Sequence, residues 1–373
     1  IIIDLPILGI KNTNIYNDNE QVIQDKQQIK QENLTIDEKV DKIVASMSQT
    51  EKLGQMVMIG IQGTKVDDDS LYMLNQYHMG GVILFDRNMD SPEQVKQLTS
   101  DLQAQSNEKV PLFIGIDEEG GDVVRMAEKL TPPPSQKEIG ATGDIEQART
   151  WAIKTAKSLK DMGINVNFAP VADIGSNDKR SYSTDANTVI DFVRAATKGY
   201  QQENIIYSLK HFPGIGKGKV DSHVDSSSID VAKEVLMTED ILPFKTIIDE
   251  NEPNDYFILV SHLKYPALDE EYPASLSSKI MTDLLRNELG YKGIIITDDM
   301  EMGAVANHND FRSIGVKAVK AGVDIVLVCH EYQHQQEVYL GLLDAVNSGE
   351  ISQERIDESV KRIIKVKLLH LYQ

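Results

Sequence analysis

Cysteine is nearly absent from this chain of 373 residues, which contains only Cys329. A single cysteine excludes an internal disulfide framework and a zinc site built from a cysteine cluster. Long apolar runs are also missing: no stretch of about 18 uncharged apolar residues occurs, so we expect no transmembrane segment. Hydrophobic residues make up 41% of the chain and charged residues 26%, which is typical of a globular protein.

Positive charge is scarce as well. The chain has 38 Lys and Arg against 58 Asp and Glu, which gives a formal net charge of −20. Such a surface repels phosphate backbones, so the composition argues against a nucleic-acid partner.

The first 34 residues differ in composition from the rest. Residues 1–10 are apolar but are interrupted by Asp4 and Pro6, and residues 11–34 are rich in Asn, Gln, Asp and Lys. We expect residues 1–34 to form a tether or loosely docked arm, and residues 35–373 to form one domain. A polar tether ahead of a domain favours an extracytoplasmic or cell-surface location over a cytoplasmic one.

Eight short apolar runs recur along the domain and predict strands. They are continuously apolar rather than alternating, as is typical of parallel strands that are covered on both faces. The predicted strands are Gln55–Ile61, Gly81–Phe85, Leu112–Asp117, Asn165–Ala169, Tyr207–His211, Phe257–Ser261, Ile294–Asp298 and Ile325–Cys329.

Amphipathic segments separate most of these strands and predict helices. The predicted helices are Pro92–Asn107, Ile145–Met162, Ala186–Glu203, Ser278–Leu289, Phe311–Ala321 and Gln353–Leu371. Eight strands, most of them followed by a helix, indicate an α/β protein with a (β/α)₈ TIM-type barrel. A doubly wound open sheet is the alternative, but the strand count and the polar strand ends favour the barrel.

Polar residues follow most of the predicted strands. They are Asp117, Glu118 and Glu119 after the third, Asp173 and Arg180 after the fourth, Lys210 and His211 at the fifth, Ser261 and His262 at the sixth, and Asp298 and Asp299 at the seventh. One carboxylate at a strand end often only caps the next helix. A set of this size at one mouth indicates an active site, because barrel enzymes place their chemistry at the carboxyl ends of the strands.

Asp298 follows the run Ile-Ile-Ile-Thr and should lie at the barrel rim. A carboxylate fixed there can attack an anomeric carbon or stabilise a cation, whereas Asp299 is expected to support the structure. Asp221 and His223 lie two residues apart on a glycine-rich loop, where the carboxylate can orient the imidazole for general acid and base catalysis. Taken alone, this Asp-x-His pattern is a weak signal.

Lys210 and His211 have two possible roles. Lys210 can form a Schiff base or act as a cationic clamp for sugar hydroxyls, and the carboxylates expected at the same mouth favour the clamp. The Gly-rich stretch GIGKGK lacks the spacing of a phosphate-binding loop. The spacing of His211, His223, His262 and His330 does not match metal-ligand patterns, so we expect neither a metal nor a cofactor.

Several motifs resemble those of the family 3 glycoside hydrolases, specifically the bacterial β-N-acetylglucosaminidases of the NagZ type. They are SMSQTEKLGQMVMIG, GGVILF, IDEEGGDVVRM, NVNFAPVADI, KHFPGIG followed by DSH, and GIIITDDMEMGA. They occur in the family's order and span roughly residues 45–370. KHFPG followed by DSH, together with TDDMEM, is the most specific part of the match.

The resemblance implies a single barrel domain and a retaining two-step mechanism. It places the nucleophile on Asp298 and the acid/base on His223, with Asp221 as its partner. The implied sugar-binding residues are Asp117, Arg125, Arg180, Lys210 and His211. The implied substrates carry terminal β-linked N-acetylglucosamine, including peptidoglycan fragments and chito-oligosaccharides, and we expect a monomer.

The chain also departs from the family pattern, which usually reads KHFPGHGDT in the loop after the fifth strand. Ile215 replaces the second His, Lys217 the Asp and Gly218 the Thr, and Asp122 stands where many relatives have Arg. Three alternatives stay open: a Schiff-base aldolase, a non-catalytic sugar-binding barrel, and a family 3 glycosidase or phosphorylase of other specificity.

Overall fold

The computed structural model describes residues 34–106, 110–126, 129–175, 179–218 and 227–372. The predicted arm therefore lies outside the described residues, apart from Leu34. Asp221 and His223 also lie outside them.

Eight parallel strands form one sheet in the described part of the chain. The strands are β1 Val57–Gly60, β2 Gly81–Leu84, β3 Phe113–Ile116, β4 Val166–Asn167, β5 Ile206–Phe212, β6 Tyr256–Val260, β7 Ile294–Thr297 and β8 Val326–Val328. Their order in the sheet is β7-β6-β5-β4-β3-β2-β1-β8, and a parallel bridge between Ile296 and Ile325 brings the two edges together. The predicted (β/α)₈ TIM-type barrel is confirmed.

Helices connect the strands and cover the outside of the barrel. The α-helices are α1 Ile36–Ser46, α2 Gln49–Gln55, α3 Asp68–Gln76, α4 Pro92–Ala104, α5 Gln136–Ala141, α6 Ile145–Asp161, α7 Ala186–Gln202, α8 Lys233–Val235, α9 Leu242–Glu250, α10 Gly303–Ala306, α11 Phe311–Ala321, α12 Tyr332–Asn347 and α13 Gln353–His370. Leu236–Asp240 and Lys279–Glu288 are π-helical, and Asp86–Asn88 and Ala274–Leu276 are 3₁₀ turns.

The predicted strand positions are confirmed, with small differences at the ends. The first and fourth strands show the largest differences, each three residues shorter than predicted, and in the fourth only Val166–Asn167 joins the ladder. Asn165, just before this strand, bonds to β3 through both its backbone and its side chain. Its N–H donates to the carbonyl of Ile114 at 2.9 Å, its Oδ1 accepts the N–H of Ile114 at 2.8 Å, and its Nδ2 donates to the carbonyl of Leu112 at 3.0 Å.

The seam between β7 and β8 closes the barrel. Ile325 donates its N–H to the carbonyl of Ile295 at 3.1 Å, and Thr297 donates to the carbonyl of Ile325 at 3.1 Å. Below these bonds, the fully buried Asp324 accepts the N–H of Ile295 through Oδ2 at 2.9 Å. The seam is therefore held by backbone bonds and by one buried carboxylate.

Three arginines surround the Asp324 carboxylate and connect the seam to α13. Arg286 and Arg362 form ion pairs with it, and Arg355 donates to the carbonyl of Val323 at 2.7 Å. Burial acts to raise the pKa of Asp324, but the charges of Arg286, Arg362 and Arg355 lower it overall. Asp324 is therefore a buried anion whose charge these arginines balance, and it is in turn their counter-charge.

Within the described residues, no helix combines the length and the apolar character that crossing a bilayer would require.

We predict that Asp324→Asn lowers the free energy of unfolding by about 3 kcal/mol, because it leaves buried arginines without their counter-charge. Urea denaturation followed by far-UV circular dichroism at pH 7 measures this change. The matched control is Asp344→Asn, which removes an exposed pair with Arg312 and should cost less than about 1 kcal/mol. Equal urea midpoints for Asp324→Asn and the wild type would contradict the assigned role.

Candidate active site

The candidate active site lies at the mouth formed by the carboxyl ends of the strands. Parallel strands in a closed barrel bring these ends together, so residues far apart in sequence become neighbours. The polar residues that line or support this mouth are Asp117, Glu118, Glu119, Arg125, Asp173, Arg180, Lys210, His211, His262, Asp298, Asp299 and His330.

Lys210 is the central cation of the mouth. It lies at the end of β5 and is only 3% exposed, and its Nζ is 2.8 Å from Asp117 Oδ1 and 2.6 Å from Glu119 Oε1. Burial acts to lower the pKa of Lys210, but the charges of Asp117 and Glu119 raise it overall. Lys210 is therefore a charged ammonium, which suits a clamp and disfavours the free amine that a Schiff base requires.

Glu119 connects Lys210 to Arg180. The Arg180 guanidinium donates to both carboxylate oxygens of Glu119, from Nε at 2.9 Å and from Nη2 at 2.7 Å. Burial acts to raise the pKa of Glu119, but the charges of Lys210 and Arg180 lower it overall. Glu119 is therefore ionised and fixes the positions of two cations.

His211 extends this network toward β4. Arg180 Nη2 lies 3.2 Å from His211 Nε2, and His211 Nδ1 lies 2.8 Å from Asp173 Oδ2. Because the guanidinium can only donate, Nε2 accepts and the ring proton is on Nδ1, which donates to Asp173. The imidazole is thereby fixed in one orientation.

Asp173 also anchors the loop that follows β5. Its Oδ1 accepts the N–H of His211 at 3.1 Å and the N–H of Ile215 at 2.9 Å. The Tyr265 hydroxyl donates to the carbonyl of Gly214 at 2.7 Å. A Cβ at Gly216 would lie 1.6 Å from the Ile174 carbonyl oxygen, so this position requires glycine.

The unusual residues of this loop have contacts of their own. Ile215 packs against the hydrophobic core, and Lys217 forms ion pairs with Glu239 at 2.6 Å and with the buried Asp240 at 2.8 Å. The loop is thus held as far as Gly218, the last described residue before Ser227.

Arg125 is the least satisfied cation of the mouth. Its Nη1 is 3.5 Å from Asp86 Oδ2, its Nη2 is 3.6 Å from Asp117 Oδ2, and no acceptor among the described residues bonds its Nε. The guanidinium lies over the ring of Phe85, 5.2 Å from the centroid. The Arg125 Nε is buried, but the Nη groups have only long contacts among the described residues and retain donor capacity that a polar ligand can use.

Asp298 is held in a turn directly after β7. Its N–H donates to the carbonyl of Val260 at 3.0 Å, and its Oδ1 accepts the N–H of Asp299 at 2.9 Å. The buried His262 fixes the same turn, because its Nε2 donates to the carbonyl of Asp299 at 2.8 Å and its Nδ1 accepts from Ser275 at 2.7 Å. Burial lowers the pKa of His262 despite the opposing charges of Asp298 and Asp299, so the ring is neutral.

Asp299 supports the structure, as expected. Its Oδ1 accepts the N–H groups of Glu301 and Cys329, each at 3.1 Å, and its Oδ2 lies 3.3 Å from His330 Nε2. Ligand atoms of Asp299, Glu301 and His330 lie within 4.8 Å of one another, which sequence spacing did not indicate. Arg87 lies 3.0 Å from the other ring nitrogen of His330, and protein N–H groups already occupy both carboxylates, so we assign the cluster a structural role.

The ends of β3 and β7 face one shared space beside β8. Burial raises the pKa of the Cys329 thiol well above its ordinary value, and the negative charges of Asp299, Asp117 and Asp298 raise it further. Asp117 directly follows β3 and Asp298 directly follows β7, so both carboxylates lie at the mouth where the carboxyl ends of the barrel strands meet.

A comparison with protein-family models shows which family the chain belongs to. The family model for the glycosyl hydrolase family 3 N terminal domain matches residues 48–366. The chain belongs to glycosyl hydrolase family 3.

Individual family 3 relatives agree with this assignment. The chain is 35% identical over 326 residues to "Beta-hexosaminidase A" of Pseudoalteromonas piscicida, covering 79% of this chain and 54% of that protein. It is 31% identical over 318 residues to a "Beta-hexosaminidase" of Nitrosomonas eutropha, covering 82% of this chain and 90% of that protein. A family 3 β-N-acetylglucosaminidase structure from a Paenibacillus species has 38% identity and a TM-score of 0.84, covering 87% of this chain and 62% of that one.

The residues predicted for a family 3 site fall into two groups. The structure brings Asp117, Arg125, Arg180, Lys210 and His211 into one connected network, and Asp298 faces the same mouth. The catalytic roles predicted for Asp221 and His223 remain predictions, because both residues lie outside the described ranges.

Glu119 and Asp173 complete the network; the sequence places both among the polar strand-end residues but predicts no binding or catalytic role for either. The run Asp117-Glu118-Glu119 marks a site without showing which carboxylate faces inward. Asp173 follows β4 in the same way that polar site residues follow other strands. This position is the one sequence signal that marks Asp173 as a residue of the site.

We predict that Glu119→Gln lowers the free energy of unfolding by about 3 kcal/mol at pH 7, because two cations lose a shared counter-charge. A carboxylate whose folded-state pKa is lowered contributes stability above its unfolded pKa of about 4.3, and this contribution is lost as pH falls. The difference from wild type should therefore be constant from pH 8 to pH 5 and shrink below about pH 4, as urea denaturation measures.

The control for this experiment is Glu239→Gln, which removes a half-exposed partner of Lys217 and should cost less than about 1 kcal/mol. A Glu119→Gln effect no larger than that of the control would show that Glu119 does not neutralise the two cations.

Proposed function

We propose that the protein is a retaining β-N-acetylglucosaminidase that removes terminal β-linked N-acetylglucosamine through a covalent glycosyl-enzyme. The observation that carries the proposal is the fixed Asp298 carboxylate at a mouth that it shares with Asp117 and the Lys210 network. The printed names of the relatives, β-hexosaminidase and β-N-acetylglucosaminidase, support this activity.

In the first step, Asp298 attacks the anomeric carbon while the bond to the leaving oxygen breaks. His223 donates a proton to that oxygen, and Asp221 keeps the imidazolium oriented. In the second step, neutral His223 takes a proton from water, and the water oxygen displaces Asp298 from the anomeric carbon. Two inversions give net retention.

The cationic network grips the sugar in this mechanism. Asp117 and Arg125 reach the mouth with 21% and 18% of their side chains exposed, whereas Lys210 and His211 lie behind them. The outer pair therefore accepts and donates hydrogen bonds to sugar hydroxyls, while Lys210 fixes Asp117 and His211 contacts Arg180. Preorganised donors of this kind place binding energy on the reacting sugar without reorganisation at the moment of reaction.

The substrates that we propose are peptidoglycan fragments and chito-oligosaccharides with N-acetylglucosamine at the non-reducing end. Among the alternatives, the Schiff-base aldolase loses support because Lys210 is held as an ammonium between two carboxylates. Hydrolysis of 4-nitrophenyl β-N-acetylglucosaminide, compared with the β-glucoside and β-xyloside, tests the specificity. Binding of N-acetylglucosamine without release of nitrophenol would instead indicate a non-catalytic barrel.

We predict that Asp298→Ala lowers kcat on this aryl glycoside by about 10⁴-fold, because the attacking carboxylate is removed. Added azide should restore turnover by attacking the vacated face, and the product should be the α-glycosyl azide. In the wild type, a 5-fluoro N-acetylglucosaminyl fluoride should label the peptide that contains Asp298, as mass spectrometry detects. A label on another residue, or full activity of Asp298→Ala, would disprove this role.

We predict that His223→Ala slows the cleavage of a substrate more, the more its leaving group depends on protonation. Cleavage of a disaccharide should fall by about 10³-fold, whereas the first step with a 2,4-dinitrophenyl glycoside should fall less than about tenfold. Azide should now give the β-glycosyl azide, because Asp298 is intact. An equal loss of rate for both leaving groups would contradict the role of His223 as the acid.

A further inference from the structure

Glu118 is a buried carboxyl group beneath the mouth that no step of the proposed reaction uses. It is 3% exposed, and its backbone is fixed to β4. Its N–H donates to Asn167 Oδ1 at 3.0 Å, and Asn167 Nδ2 donates to its carbonyl at 3.1 Å. The start of the loop after β3 is thereby fixed to a neighbouring strand.

The Glu118 side chain holds the far end of the same loop. Oε2 accepts the N–H of Arg125 at 2.8 Å. The chain can return to this point because it turns at Gly120 and Gly121, with φ of 106° and 60°, and Gly120 pairs with Val123. Glu118 thus sets the position of the backbone that carries the Arg125 guanidinium.

Charged groups from several elements face Glu118. They are Arg125 on its own loop, Asp117 at the end of β3 and Asp86 after β2. The phenol of Tyr200 on α7, which burial keeps neutral, also interacts with Glu118. Burial raises the pKa of Glu118 to about 7, with smaller increases from Asp86 and Asp117 and opposing effects of the Arg125 N–H and guanidinium. Glu118 therefore changes charge near neutral pH, where ordinary carboxyl groups do not.

We propose that Glu118 is a positioning residue: its ionised carboxylate holds Arg125 in the geometry that binds substrate, and proton uptake by Glu118 weakens that binding. A hydrogen bond to a carboxylate is stronger than one to a neutral carboxyl group. Protonation therefore loosens the contact with the Arg125 N–H and lets the guanidinium move away from Asp117. The identity of the ligand, N-acetylglucosamine, rests on the proposed function.

The test compares wild type, Glu118→Gln and Glu118→Ala. Glutamine keeps an acceptor for the Arg125 N–H but cannot ionise, whereas alanine removes the acceptor. Isothermal titration calorimetry with N-acetylglucosamine gives Kd, and aryl glycoside kinetics give KM and kcat, between pH 5.5 and 8.5. Glu138→Gln is the control, because Glu138 is an exposed helix-capping carboxylate that bonds to Ser135 and not to Arg125.

The wild-type Kd and KM should rise about fivefold as pH falls from 8 to 6, the size expected when a charged hydrogen bond becomes neutral. Glu118→Gln should show the weaker, low-pH affinity throughout, with kcat changed much less than KM. Glu118→Ala should bind more weakly still, and Glu138→Gln should follow the wild type.

Two results would overturn the inference: a wild-type Kd that is constant between pH 6 and 8, or a pH dependence that Glu118→Gln retains. If the wild type binds the sugar but releases no nitrophenol, the proposed function fails while Kd still decides the inference. If the wild type does not bind the sugar, the positioning role of Glu118 is tested instead by the rate of amide hydrogen exchange in residues 117–126 at pH 7.5. Exchange in Glu118→Ala must then exceed that in Glu118→Gln, and equal rates would overturn the positioning role.

Discussion

The parallel contact between β7 and β8 is the constraint on which the site depends. Asp298 lies in the turn after β7, where its own N–H bonds to β6 while Thr297 and Met300 bond to residues of the β8 segment. The turn is thus held from both sides only if the barrel is closed. Asp324 secures the closure at the opposite end of the strands, so a buried ion-pair cluster far from the mouth contributes to the position of the candidate nucleophile.

The mouth brings buried charges of both signs together in a protein with a net charge of −20. Lys210 and Arg180 share Glu119, and Lys210 also contacts Asp117. Burying charges in this way contributes little to stability, since well-packed apolar residues often serve a fold equally well. The value of the network is geometric: donors and acceptors are fixed before a ligand arrives, whereas the ion pairs of Arg125, at 3.5 and 3.6 Å, are long.

Much of the fold could be predicted because each strand is a continuous apolar run between polar segments. The exact ends could not, since they depend on tertiary partners: Asn165, next to β4, bonds to Ile114 through its backbone and its side chain, and to Leu112 through its side chain. The segment Lys279–Glu288 reads as a helix in sequence but is π-helical. That choice depends on packing against the barrel, which helical periodicity does not encode.

For the site, the sequence alone determined which strand ends carry polar residues, because chain order and apolar periodicity suffice to place the carboxyl ends of parallel strands at one mouth. It did not determine which partners the acidic residues Asp117, Glu118 and Glu119 after β3 would have. Asp117 and Glu119 neutralise Lys210, whereas Glu118 turns away to hold the Arg125 backbone. Only the tertiary structure decided this, because the partners come from β4, β5 and a returning loop, and contacts between residues 49 to 93 positions apart leave no local pattern.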